Sequence, residues 1–144
     1  MLIGTSYHSL DSQRRVTVPK NMRGSLGNSP VLTRGLDGGI FLLPESFWNK
    51  LVNNLEHQPF TKKKARNFLR LLSNDAYVVE PDKVGRVTIP DTLANAFKLD
   101  KDVVIVGSLQ YVEIWDRDTY HTYLDSIQDQ AEEIAESLEW EEHA

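Results

Sequence analysis

The sequence contains no cysteine, so it has no disulfide framework, no thiolate metal site and no cysteine nucleophile. A reducing cytoplasm fits that absence. Nowhere does it reach a run of about 18 apolar residues, and its first residues, MLIGTSYHSLDSQRR, hold no basic stretch leading into a long apolar one. Neither export nor membrane insertion is expected. His8, His57, His121 and His143 lie far apart, with no H-x-x-x-H pair, no G-x-S-x-G and no Walker loop anywhere. Gly35 to Gly39 lacks the Gly-Lys-Ser/Thr that follows a phosphate cradle and reads as a hairpin turn. The acidic C-terminal stretch lacks the alternating ligands and glycine turn of a calcium loop. No catalytic residues, no cofactor and no metal site are expected. Basic residues, too, are missing from one place: residues 124–144 contain none against eight Asp and Glu.

That last absence changes how the net charge of −5 is read. Residues 1–71 hold eleven Lys and Arg against four Asp and Glu, whereas residues 72–123 hold five against nine. A basic first half with an acidic end suits a nucleic-acid binder carrying a solvated tail. Two oppositely charged solvated faces would give the same distribution. The balance of 40% hydrophobic and 26% charged residues is that of a globular chain, and 144 residues suffice for one domain.

The chain repeats itself. DSQRRVTVP at 11–19 returns as DKVGRVTIP at 82–90, an offset of 71, and VLTRGLDGGIFL at 31–42 returns as VVIVGSLQYVEI at 103–114, an offset of 72. Two blocks in the same order, separated by a one-residue insertion, indicate copies of a unit of roughly 55 residues. Each copy predicts strand, turn, strand, short helix, strand, turn, strand, helix. Val16 and Val18 alternate about Thr17, and Pro19 closes that strand and opens a helix. Val87, Ile89 and Pro90 do the same in the second copy, followed by a helix with Leu93, Ala96 and Phe97 on its apolar face. Between the copies, the spacing of Phe47, Leu51 and Leu55 and the run Phe68 to Leu72 predict two helices broken near Pro59. A last helix is expected from about Asp116 to Glu139, with Tyr120, Leu124, Ile127, Ala131, Ile134 and Leu138 on one side. One copy is too small to bury a core, so two copies packed about a pseudo-twofold axis form one domain. Its parts are repeat 1 (about 1–56), a helical linker (57–74), repeat 2 (75–123) and an acidic helix or tail (124–144).

The pairs Asp11 with Arg15 and Asp82 with Arg86 are the main functional candidates. The V-T-V-P and V-T-I-P that follow exclude a helix, so each pair belongs to a turn. There the carboxylate can accept backbone N–H groups while the guanidinium projects from a rigid strand end. A fixed arginine suits bidentate contact with guanine or a fork onto phosphate. An ion pair that merely closes the turn remains the other reading.

The double D-x-x-x-R motif before a β-branched strand and proline, Leu10 ahead of Asp11, and EIW at 113–115 resemble the MraZ family from Met1 to about Leu124. The resemblance implies a β-dominated α+β fold: a swapped-hairpin, double-split AbrB-like β-barrel made of two pseudo-symmetric repeats with flanking helices. It also implies a cytoplasmic, nucleoid-associated regulator of the bacterial division and cell-wall gene cluster. Such a protein binds double-stranded DNA at short G-rich direct repeats upstream of its own operon, as a homo-oligomeric ring of eight or more subunits. A neighbouring rRNA methyltransferase is a further partner implied by the family. Arg15 and Arg86 take the place of the motif arginines, and Asp11 and Asp82 that of the aspartates which position them. One departure stands out, because the family has Gly before the motif arginine and the first copy here has Arg14, while the second keeps Gly85. Arg14, Lys20 and Arg23 form a basic cluster around Arg15 in the sequence, against Lys83 and Arg86 among acids in the second copy. The first copy is therefore expected to dominate DNA binding.

Without a recognition helix, affinity would come from several subunits engaging successive direct repeats. The rival reading is a protein-interaction module, either a methyltransferase inhibitor or an antitoxin-like protein, whose acidic tail would be essential. Lys62 to Arg66 reads as an exposed helix face. Trp48 and Trp115 read as packing residues, and Trp140 sits among acids, so none is taken as a stacking platform for single strands.

Overall fold

The computed structural model describes residues 1–140. Each repeat begins with a strand, β1 (Thr5–Ser9) or β5 (Tyr77–Val78), followed by the motif turn and a second strand, β2 (Arg15–Thr17) or β6 (Arg86–Thr88). A short helix comes next, α1 (Lys20–Leu26) or α4 (Asp91–Ala96), and then a hairpin, β3 (Val31–Arg34) with β4 (Ile40–Leu43) or β7 (Asp102–Gly107) with β8 (Val112–Asp116). Two helices close each repeat, α2 (Glu45–Glu56) and α3 (Lys63–Asn74) in the first, α5 (Arg117–Gln128) and α6 (Ala131–Ser137) in the second. Pro19, Pro44 and Pro90 stand immediately before α1, α2 and α4, each with φ between −54° and −58° and ψ between 140° and 146°. The ring that ends the strand thus presets the entry into the helix.

The strands pair across the repeats. A six-stranded antiparallel sheet runs β1-β7-β8-β4-β3-β5, and a separate two-stranded ribbon joins β2 to β6. The first strand of each copy therefore completes the hairpin of the other, and the sheet is pseudo-symmetric about the β8–β4 junction. Strands are thus exchanged between the copies, and among the described residues they form these two antiparallel sheets in an α+β fold.

Backbone conformation repeats as closely as sequence does. Positive φ occurs at Arg14 and Gly85, at Gly27 and Lys98, and at Asp37 and Leu109, three pairs of equivalent positions. The core lies between the six-stranded sheet and a lid made of the ribbon with α1 and α4. It is filled by Leu32, Ile40, Leu42, Val103, Ile105 and Ile114 from the sheet, and by Val16, Val18, Met22, Val87, Ile89 and Leu93 from the lid. On the opposite face Thr33 is fully buried and donates to the Leu72 carbonyl of α3 at 3.1 Å. Trp115, also buried, packs there against Tyr120 and Tyr123 of α5. Gly39 makes room for that indole, since a Cβ there would come within 2.4 Å of Trp115 Nε1.

The single C-terminal helix expected over 116–139 is two helices, with Asp129 and Gln130 between them. Tyr120, Leu124 and Ile127 of α5 are partly buried, whereas every residue from 128 to 140 is exposed. With no tertiary surface beneath α6, nothing continues the amphipathic stripe into the core. Residues 141–144 of the expected tail, with His143, lie outside the described residues. Among the described residues no helix is long and apolar enough to cross a membrane.

Candidate nucleic-acid interface

Both D-x-x-x-R segments fold into the same turn. Asp11 N–H donates to the Arg15 carbonyl (3.1 Å) and Arg14 N–H to the Asp11 carbonyl (3.0 Å); Asp82, Gly85 and Arg86 repeat this at 3.1 and 2.9 Å. With residue 14 or 85 left-handed, this is the pattern of a turn ending in a glycine-type bulge. The aspartate carboxylate stitches the loop from inside. Asp11 Oδ1 accepts the N–H groups of Gln13 (2.8 Å) and Arg15 (2.9 Å), and Asp82 Oδ1 those of Val84 (3.1 Å) and Arg86 (2.8 Å). The other oxygen takes the arginine Nε, at 2.7 Å for Arg15 and 2.6 Å for Arg86. The backbone N–H of the motif arginine, more than its guanidinium, holds each carboxyl below the usual aspartate range, against a smaller opposing effect of desolvation. The pairing through Nε orients the guanidinium without using the donors on its terminal amino groups.

The ribbon then brings the two arginines onto one surface. Arg15 lies opposite Thr88 and Thr17 opposite Arg86, with Val16 facing Val87 between them. Strand alternation sends both valines to the core, where each is 1% exposed, and turns Arg15, Thr17, Arg86 and Thr88 outward. Arg15 and Arg86 sit diagonally, about 7–8 Å apart at the backbone. A three-residue ribbon is not stable alone; burial of Val16 and Val87, worth about 1.5–3 kcal/mol each, anchors this one. The threonines were not singled out in the sequence, although the alternation that follows each arginine carries their signal.

The sequence model described as "MraZ protein, putative antitoxin-like" matches the chain twice, over residues 1–71 and 72–139. The chain belongs to the MraZ family. Among its relatives, the Transcriptional regulator MraZ of Halothermothrix orenii is 40% identical over 139 residues, covering 96% of this chain and 97% of the relative. That of Natranaerobius thermophilus is 41% identical over 138 residues, and that of Carboxydothermus hydrogenoformans 39% over 138, each covering 96% of both chains. Each of the two MraZ matches contains one D-x-x-x-R turn.

One expectation about this MraZ chain needs correction. Arg23 does not gather with Arg15 and Arg14. Because β2 and β6 run antiparallel, the chain leaving β2 passes the second turn, and Val18 N–H donates to the Gly85 carbonyl at 2.9 Å. Arg23 accordingly lies against Gly85, with its Nε donating to the Val18 carbonyl at 2.9 Å. Lys20, exposed at the start of α1, follows the same strand end. The first turn meets α4 instead, where Arg14 pairs with Asp91 at 2.9 Å. The cluster read along the sequence is thus divided: Arg14 and Arg15 stand with Asp11 and Asp91 at one end of the ribbon, and Lys83, Arg86 and Arg23 with Asp82 at the other.

Proposed function

We propose that this chain is a sequence-specific, DNA-binding transcriptional regulator that uses the outward face of the β2–β6 ribbon. The observation that carries the reading is the placement of Arg15 and Arg86 on one surface, each oriented through Nε by its own aspartate. A major groove admits a two-stranded ribbon, and an arginine held in a fixed direction matches the O6 and N7 acceptors of guanine. Thr17, Thr88, Lys20 and Lys83 would add hydroxyl or phosphate contacts along the same track. The family relationship extends the proposal. The DNA would be the G-rich direct repeats upstream of the operon containing the chain's own gene, within the division and cell-wall cluster, and the protein would act in the bacterial cytoplasm on the nucleoid. Two arginines per subunit give weak, salt-sensitive contact, so a head-to-tail homo-oligomeric ring would supply affinity by engaging successive repeats. We infer further that the sheet and the ribbon wrap as the two sides of a barrel around the shared core.

The test is binding of wild type, Arg15→Ala and Arg86→Ala to labelled DNA from the region upstream of the gene, titrated with salt against unrelated duplex. Wild type should prefer the upstream DNA, and each variant should lose about tenfold or more of that preference while keeping its fold. A wild type without preference abandons this reading. It would favour the protein-interaction alternative, in which a partner such as an rRNA methyltransferase takes the exposed helix α6, where Ile134 is 42% exposed, together with Leu138 just past its end, 55% exposed.

A further inference from the structure

The two motif turns are backed differently, and the differences compensate. At the second turn the backing group is Arg23 of α1. Its guanidinium occupies the space beside Gly85 so fully that a Cβ on Gly85 would lie 2.2 Å from Nε and 2.3 Å from Cζ. At the first turn the residue equivalent to Gly85 is Arg14, and the residue equivalent to Arg23 is Ala94, which is fully buried. The backbone contact is the same on both sides, since Ile89 N–H donates to the Arg14 carbonyl at 2.8 Å as Val18 N–H does to Gly85. The residue equivalent to Lys20 is Asp91, three positions before Ala94 on the same helix face, and it receives Arg14 Nε. Glycine with arginine and lysine at one junction thus becomes arginine with alanine and aspartate at the other.

We propose that each motif turn of this chain requires a guanidinium seated between it and the short helix of the other repeat, supplied by the helix at the second turn and by the turn itself at the first. This accounts for an arginine at φ 55°, where glycine is the favoured residue. With Ala94 on the helix, only the turn can fill the seat, and Asp91 provides its acceptor. Arg14 and Arg23 are then positioning residues. Each fixes the left-handed residue that immediately precedes Arg15 or Arg86 in the chain, either directly or by packing on it.

The seat is tested without DNA, by the thermal unfolding midpoint of the full chain in four forms: wild type, Arg14→Gly, Ala94→Arg and both together. Ala94→Arg alone should lower the midpoint by about 5 °C or more, because two guanidinium groups compete for one space. In the Arg14→Gly background the same substitution should raise it. An equal loss in both backgrounds would mean that Ala94 is ordinary core and would overturn the proposal. Should Ala94→Arg fail to fold by itself, the mirror pair decides: Gly85→Arg lowers the midpoint, and adding Arg23→Ala must recover part of the loss rather than deepen it.

The functional half rests on the DNA-binding reading. The Arg14→Gly/Ala94→Arg chain should bind upstream DNA within about twofold of wild type, with the same salt slope, because the motif arginines are untouched. If it binds as poorly as Arg15→Ala, Arg14 is a contact residue and its positioning role fails. A wild type without DNA preference, alongside intact coupling in unfolding, would remove the DNA reading and leave the seat standing.

Discussion

At the scale of single residues, Asp11 and Asp82 each hold a half-buried arginine by its Nε. Each carboxylate holds two backbone N–H groups and one guanidinium. Most surface ion pairs contribute little because two long side chains must be ordered; here the turn orders them already. Both carboxyls titrate below the usual aspartate range, with the backbone N–H of the arginine as the main cause. A depressed folded-state pKa means that the turn's stabilisation is present above the unfolded value and lost as pH falls through the folded one. The turns should therefore persist through the pH at which an ordinary aspartate is half protonated, which carboxyl NMR titration of both residues would show. Midpoints at the ordinary value would mean that the stitching is not formed in solution. Asp11→Asn, which keeps an acceptor for the backbone, should weaken DNA binding less than Asp11→Ala. The D-x-x-x-R pairs were legible because their partners lie within five residues. The contact of Arg23 with Gly85 was not, since it joins a helix of one repeat to a turn of the other.

At the scale of elements, alternation carries most of the information. V-T-V and V-T-I announced their strands and, through Val16 and Val87, which side faces the core. Nothing local announced that the two strands pair with each other, and that pairing is what collects Arg15 and Arg86. The two-residue strand β5, whose Tyr77 and Val78 are both exposed, has no alternation of its own and is expected only because the first copy has a strand at the equivalent place. The C-terminal helices show the converse. A continuous apolar stripe from Tyr120 to Leu138 predicted one helix, yet only its first half finds the sheet, and the chain breaks at Asp129. Residues 129–144 hold seven Asp and Glu, no Lys or Arg, and those of them that are described are all exposed. Ending the chain at Gln128 should accordingly shift the unfolding midpoint by no more than about 2 °C. It should also strengthen DNA binding at low salt, by removing negative charge that repels phosphate, with the gain vanishing at high salt. A truncated chain that unfolds, or that loses DNA at every salt concentration, would assign the tail a structural or partner-holding role.

For the whole molecule, the exchange of strands ties the two repeats to each other. Cut between Asp75 and Ala76, the first fragment would keep only the β3–β4 hairpin, with β1, β2 and the outer edge of β3 deprived of β7, β6 and β5. The second would keep only β7–β8. The apolar cluster draws on both repeats in nearly equal measure, so neither fragment can bury its half of the core by closing on itself. Such a fragment has two choices, to stay unfolded or to pair with a second copy of itself, because pseudo-symmetry lets one repeat stand in for the other. Substitution is imperfect here. A dimer of the first fragment would set Arg14 against Arg23 at both junctions, two guanidinium groups where the chain has one, and a dimer of the second would set Gly85 against Ala94 and leave both spaces empty. The mixed pair alone restores one guanidinium to each. Separately purified fragments should therefore give weak or no cooperative unfolding, and mixing them should yield a heterodimer with a native-like transition, measured by circular dichroism and sedimentation. If either fragment alone unfolds as cooperatively as the mixture, the swapped pairing does not govern stability, and the asymmetry of the two turns is not what keeps the repeats together.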